Sequence, residues 1–113
     1  MELINEGDLE FRHGDHGPKY LFRSPHFEWG IIVFKPGQAL GKHCHNEVEE
    51  HFYFLEGRGK MVVEGQTYDA TPGAAFRLDP PECHNIINDG DTDLRLIFIK
   101  CPYVPTDKVD LPD

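Results

Sequence analysis

The chain has 113 residues, 39% hydrophobic and 12% aromatic, which suffices for one domain with its own core. With 20 acidic against 11 basic residues its formal charge is −9, which excludes the clustered Lys and Arg that nucleic-acid backbones demand. Its longest apolar runs, Gly30 to Phe34 and Leu94 to Ile99, are far short of a membrane span, and MELINEGDLE lacks the basic and apolar regions of a signal peptide, so a soluble, cytoplasmic protein is expected.

Residues 1–26 are polar and rich in Gly and His, and read as an N-terminal arm of strand and loop. Leu3-Ile4 and Tyr20 to Phe22 are its short strand pieces. The HGDHGP loop between them, His13 to Pro18, reads as a solvated turn because Gly, Asp and Pro serve turns. From Phe27 the pattern changes. Trp29 to Phe34 is an apolar strand stopped by Pro36-Gly37, and no segment anywhere carries a helical apolar period. Gly59 to Glu64, Thr67 to Ala70, Ala74 to Leu78, His84 to Asn88 and Leu94 to Lys100 are further strands, separated by turn signals every 8 to 12 residues, roughly the spacing of a sandwich or barrel. That places a barrel over 27–101 and leaves 102–113, with its three prolines, as an extended C-terminal tail lying over the barrel or over a partner. Three cysteines without CxxC spacing argue against a disulfide framework or a cysteine zinc site, so Cys44, Cys83 and Cys101 are expected to stay reduced.

The chemistry concentrates in GQALGKHCHNEVEEHFYFLEG, Gly37 to Gly57. His43 and His45 stand at i and i+2, so strand alternation points both to one face. A short turn at Asn46 to Glu49 would bring Glu50, at the head of the next strand, opposite them. Two imidazoles and a carboxylate suit Zn, Mn, Fe, Ni or Cu without choosing among them. By the same alternation His51 and Cys44 face away, Cys83 is expected to do so too, and Glu47 and Glu49 belong to the turn; Glu49 replaces Glu50 if the strand slips by one residue.

The order Gly37, His43, His45, Glu50, Gly57 resembles the first motif of the cupin superfamily in every spacing. Pro72-Gly73 and His84 with Asn88 resemble the second motif, with Pro81 in place of its glycine and Ala74 in place of its acidic residue. The resemblance implies an all-β, double-stranded β-helix (jelly-roll) barrel carrying one divalent transition metal (Fe, Mn, Zn or Ni) on His43, His45, Glu50 and His84. It further implies a metal-dependent enzyme of the dioxygenase, sugar-phosphate isomerase, lyase or decarboxylase kind, whose small oxygen-rich substrate chelates the metal. The alternative is a small-ligand-binding or sensing module without turnover. Neither nucleic acid nor membrane is an expected partner. A homodimer is, by way of an outer sheet face or a swapped N-terminal strand. No second titratable residue stands out as an acid or base.

Overall fold

In the computed structural model, which describes residues 1–112, ten strands build two sheets. They are β1 (Gly17–Arg23), β2 (Glu28–Phe34), β3 (His43–His45), β4 (Glu49–Glu56), β5 (Gly59–Val63), β6 (Gln66–Ala70), β7 (Ala75–Leu78), β8 (His84–Ile87), β9 (Leu94–Cys101) and β10 (Lys108–Asp110). One sheet runs β1-β2-β9-β4-β7 and the other β10-β3-β8-β5-β6, with all pairings antiparallel. This is the double-stranded β-helix, a jelly roll.

Alternation builds the core between the sheets. Leu94, Leu96 and Phe98 of β9 face inward, opposite Phe54 and Phe52 of β4 in the pairs Phe54↔Leu96 and Phe52↔Phe98. Ile32 and Phe34 of β2, Met61 of β5 and Ile86 of β8 complete it. Phe52, Phe54 and Phe98 are fully buried, which stabilises the fold by about 1.5–3 kcal/mol each. The turn after β4 depends on Gly57, whose φ of 83° suits glycine and whose Cα faces the Asp93 carbonyl too closely to admit a Cβ.

The inward series change character at one end of the barrel. β2 begins with Glu28, β4 brings in Glu50 and β9 reaches Lys100, in the register Glu28↔Lys100↔Glu50. Hydrophobic residues thus fill one end of the barrel while polar ones line the other, and that end is a cavity. Asn88, fully buried beside the apolar end, is satisfied internally: its amide donates to the carbonyls of Phe34 (2.8 Å) and Thr92 (2.9 Å), and its oxygen accepts from the Gly90 N–H (3.0 Å).

Three features differ from the sequence expectation. Leu3-Ile4 forms no strand; a short 3₁₀ turn at Glu6–Asp8 follows instead, and Glu6 clamps the arm to the barrel by accepting from Lys19 Nζ (2.6 Å) and from Arg95. The tail is not merely extended. Lys108–Asp110 adds an edge strand to β3, in the register Lys108↔His45, Val109↔Cys44, Asp110↔His43; residue 113 of the expected tail lies outside the described residues. Finally, Cys44 and Cys83 are not reduced: they form a disulfide, and only Cys101 is free. The reason lies in register. His43 pairs with His84 across β3 and β8, so the neighbours Cys44 and Cys83 fall opposite each other on the other face, with Cα atoms 4.2 Å apart.

Two outcomes follow. The disulfide closes a separation of 39 residues, so reducing it, or replacing both cysteines by serine, is expected to lower stability by about 2–4 kcal/mol in urea unfolding; unchanged midpoints with and without reductant would contradict the pairing. The hydrogen bond from Lys19, with Arg95 adding its charge, holds the Glu6 carboxyl below the usual glutamate value. A depressed native value stabilises the clamp above the unfolded-state value near about pH 4.3 and loses that contribution as pH falls through the lower native value. The arm is therefore tied down at neutral pH and loosens as pH falls through that lower native value. Amide exchange at Asp8 and Leu9 should show it, and Glu6→Gln should abolish the dependence; equal protection at pH 3 and pH 7 in the native protein would refute it.

Candidate metal centre

Glu50 is 2% exposed, at the head of the inward series of β4. Its Oε1 lies 2.5 Å from His45 Nε2, 3.5 Å from His84 Nε2 and 3.8 Å from His43 Nε2. His43 and His84 face each other across β3 and β8 with ring centroids 4.3 Å apart. His43, Glu50 and His84 form a group whose ligand atoms all lie within 4.8 Å of one another, a set able to hold a metal ion; His45 touches Glu50 but stands outside that trio.

Local structure sets the tautomer of His43. Its Nδ1 lies 2.9 Å from the Gly41 carbonyl, to which it donates, so Nε2 keeps its lone pair toward Glu50. Gly41 is itself pinned, its N–H donating to Asn85 Oδ1 at 2.9 Å. In contrast, both ring nitrogens of His45, both of His84 and Glu50 Oε1 are buried without a hydrogen-bond partner. Of these, His45 Nε2, His84 Nε2 and Glu50 Oε1 face one another, and buried polar atoms cost about 1–3 kcal/mol each unless something they coordinate satisfies them. An N/O donor set of this kind fits a divalent transition metal.

The electrostatics are consistent with that fit. Burial pushes the Glu50 carboxyl up, but the imidazoles of His43 and His45 against it, with His84 nearby, outweigh this and hold it well below the carboxylate range. Burial pushes His84 down to about 4; the attraction of Glu50 opposes this, and His43 and His45 add to it. His84 is therefore neutral at pH 7 with a lone pair to give, and Glu50 is ionised.

The cluster opens into a cavity of about 600 Å³, with His43, His45 and Glu50 on its wall. The HGDHGP loop contributes more than a solvated turn, because His13 and His16 line this cavity. His51 and Glu49 lie away from it, paired on the outer face at 2.5 Å. Four residues of the site escape the sequence reading: Tyr20, Glu28 and Lys100 on the cavity wall, and Asp107 behind it. For Glu28 and Lys100 a signal was present, since each continues the inward phase of its strand.

Asp107 comes from the tail. Its carboxylate accepts from the N–H groups of Asn46 (3.0 Å), Glu47 (2.8 Å) and Val48 (2.9 Å), and one oxygen lies 3.8 Å from His45 Nδ1. Burial pushes this carboxyl up, but the three donors and His45 hold it below the usual aspartate value. The tail thus fixes the turn between the two strands that carry His43, His45 and Glu50.

Comparison with known proteins bears on this geometry. Residues 30–100 match the cupin domain family. Polyketide synthase CurC of Streptomyces cyaneus is 28% identical over 76 residues, which is 67% of this chain and 49% of that protein. An oxalate-binding protein of Thermotoga maritima is 33% identical over 64 residues, 57% of this chain and 53% of that one. The chain thus spans about half the length of these curated relatives. Among solved structures, an uncharacterized conserved protein of Klebsiella pneumoniae with a double-stranded β-helix domain superposes with a TM-score of 0.84, covering 100% of this chain and 99% of that one at 12% identity, a likeness of fold alone.

Asp107→Ala leaves three backbone N–H groups without their acceptor and is expected to cost about 1–3 kcal/mol in urea unfolding. Asp107→Asn, which keeps an acceptor oxygen, should recover part of that loss; an alanine variant as stable as the native chain would show that the tail does not hold this turn.

Proposed function

The chain belongs to the cupin domain family, and from that premise we propose that it is a metal-dependent enzyme acting on a small, oxygen-rich acid in its cavity. The observation that carries this reading is the convergence of buried, unpartnered imidazole nitrogens and one carboxylate oxygen at the cavity floor. In it His43, His45, Glu50 and His84 are the ligands of one divalent transition metal. His45, whose Nε2 stands 2.5 Å from Glu50 Oε1, would be the fourth ligand. When bound, the metal polarises a substrate oxygen as a Lewis acid and so stabilises negative charge that develops there.

The chain's own groups supply the remaining work. Gly41 fixes which nitrogen of His43 carries the proton, and Asp107 stands where it can do the same for His45. Phe52 and Phe98 on the cavity wall exclude water from one side of the substrate. Lewis-acid chemistry of that kind fits an isomerase, lyase or decarboxylase. The oxalate-binding relative favours a second reading, a module that holds a small acid without turning it over.

Elemental analysis tests the first reading. Protein purified anaerobically without a tag or added metal is expected to carry close to one equivalent of Zn, Mn, Ni or Fe, removable by chelator with the circular dichroism retained. His43→Ala and His84→Ala should each lose most of it and stay folded. Full metal content in both variants would overturn the ligand set, and a metal-free, well-folded native protein would overturn the enzyme. Iron lost in air would turn the reaction class to oxygen chemistry. Metal with tight acid binding but no turnover would establish the second reading.

A further inference from the structure

We propose that Lys100, positioned by Tyr20, forms a second, cationic subsite in the cavity, which takes a carboxylate or phosphate at the far end of an acid whose near end chelates the metal. This rests on the reading of the metal centre given above and names the class of ligand it serves.

Lys100 is placed by alternation. It follows Leu94, Leu96 and Phe98 in the inward phase of β9, and register sets it between Glu28 of β2 and Glu50 of β4, both buried. A lysine between two carboxylates on one face is expected to pair with one of them. Among the described residues it pairs with neither. Glu28 is taken by Arg23, whose Nε lies 3.0 Å from Oε2, and Glu50 is surrounded by the histidines. The Lys100 ammonium instead donates to the Tyr20 hydroxyl at 3.1 Å, which uses one of its three N–H bonds. Two donors remain for a ligand.

Tyr20 is built into this position. In the register Tyr20↔Gly30↔Phe98 the residue between the two rings is glycine, so the tyrosine ring crosses over it to meet Phe98 edge-on at 5.0 Å. A Cβ at Gly30 would collide with the Lys19 carbonyl, so the close approach of β1 to β2 needs a glycine there. The Arg23 guanidinium covers the other part of the ring at 3.9 Å while holding Glu28. The tyrosine hydroxyl, the ammonium and the guanidinium are thereby fixed together on the cavity wall.

Charge points the same way. The whole chain has 11 basic and 20 acidic residues, yet the cavity wall carries Arg12, Arg23, Lys100 and Lys108 against only Glu28 and Glu50. Glu28 is neutralised by Arg23 and Lys108 pairs with Asp110 at 3.2 Å, while Glu50 belongs to the metal cluster, which leaves Arg12 and Lys100. The excess is positive in a protein that is otherwise strongly negative, which selects an anion with charge at both ends. A charge-assisted bond from an ammonium to an oxyanion is worth about 1.5–3 kcal/mol, roughly a tenfold or greater gain in affinity.

Calorimetric titration of zinc-loaded protein with paired acids tests this. Lactate and malate both chelate through a 2-hydroxycarboxylate, and malate adds a second carboxylate; glycerate and 3-phosphoglycerate form the same kind of pair with a phosphate. In the native protein the doubly charged member of at least one pair is expected to bind about tenfold more tightly, and which pair shows it identifies the oxyanion. Lys100→Met should remove that advantage while leaving lactate and glycerate within about twofold, and Tyr20→Phe, which deletes only the hydroxyl, should remove part of it. An advantage that survives in Lys100→Met, or lactate and malate weakened equally, overturns the subsite and leaves the metal centre standing. A protein that takes up no zinc overturns the metal reading itself, and this one with it.

Discussion

The arrangement around Glu50 Oε1 is the constraint on which the structure depends. A buried carboxylate oxygen with three imidazole nitrogens within 3.8 Å can serve one partner on two conditions, that the donor atoms are free of protons and that the partner uses their lone pairs. Burial works toward the first condition at His84, which it drives down to about 4, and against it at Glu50, where the surrounding imidazoles prevail. One environment therefore supplies both neutral nitrogen donors and an ionised oxygen donor. A water pocket would satisfy the same atoms by hydrogen bonding, but it would not require lone pairs from both sheets to converge on one point.

Such convergence needs β3 to be held still, and β3 on its own is weakly held. It has three residues and meets β8 at one pair, His43↔His84. Three devices compensate. The Cys44–Cys83 disulfide ties the face opposite the histidines, β10 adds three paired positions along the outer edge, and Asp107 caps the turn leading to β4. Each lies within a residue or two of a histidine of the cluster, and each acts on backbone position, leaving the imidazoles themselves free.

These devices are also what the sequence left unread. The main strands were legible, the alternation of Phe52 and Phe54 gave the inward phase of β4, and the His-x-His and Glu spacing marked the cavity floor. The disulfide was not legible, since it depends on the register between strands 39 residues apart and three cysteines give no parity argument. β10 was not legible either. Its three residues are exposed and carry no apolar alternation, and its pairing comes from backbone bonds to an edge. Asp107 donates no local pattern at all, because its partners are about 60 residues away in the chain. Interactions that the chain makes with itself at long range and through its backbone leave no periodic trace in the side chains.

The cavity joins these threads through β9 and its neighbours. The same alternation that sends Leu94, Leu96 and Phe98 into the core sends Lys100 into the cavity, one strand away from Glu50. A divalent ion held at Glu50 would repel the ammonium on the adjacent strand, and an anion lying between them would offset that repulsion. A single monoanion meets only one of the two charges. An acid with oxygens at both ends meets both, and the Glu28–Arg23 pair, being internally neutral, adds a boundary to the space without competing for either end. On the proposed reading, the step between neighbouring strands, about 5 Å, and the reach of one lysine side chain would set the length and charge of the ligand.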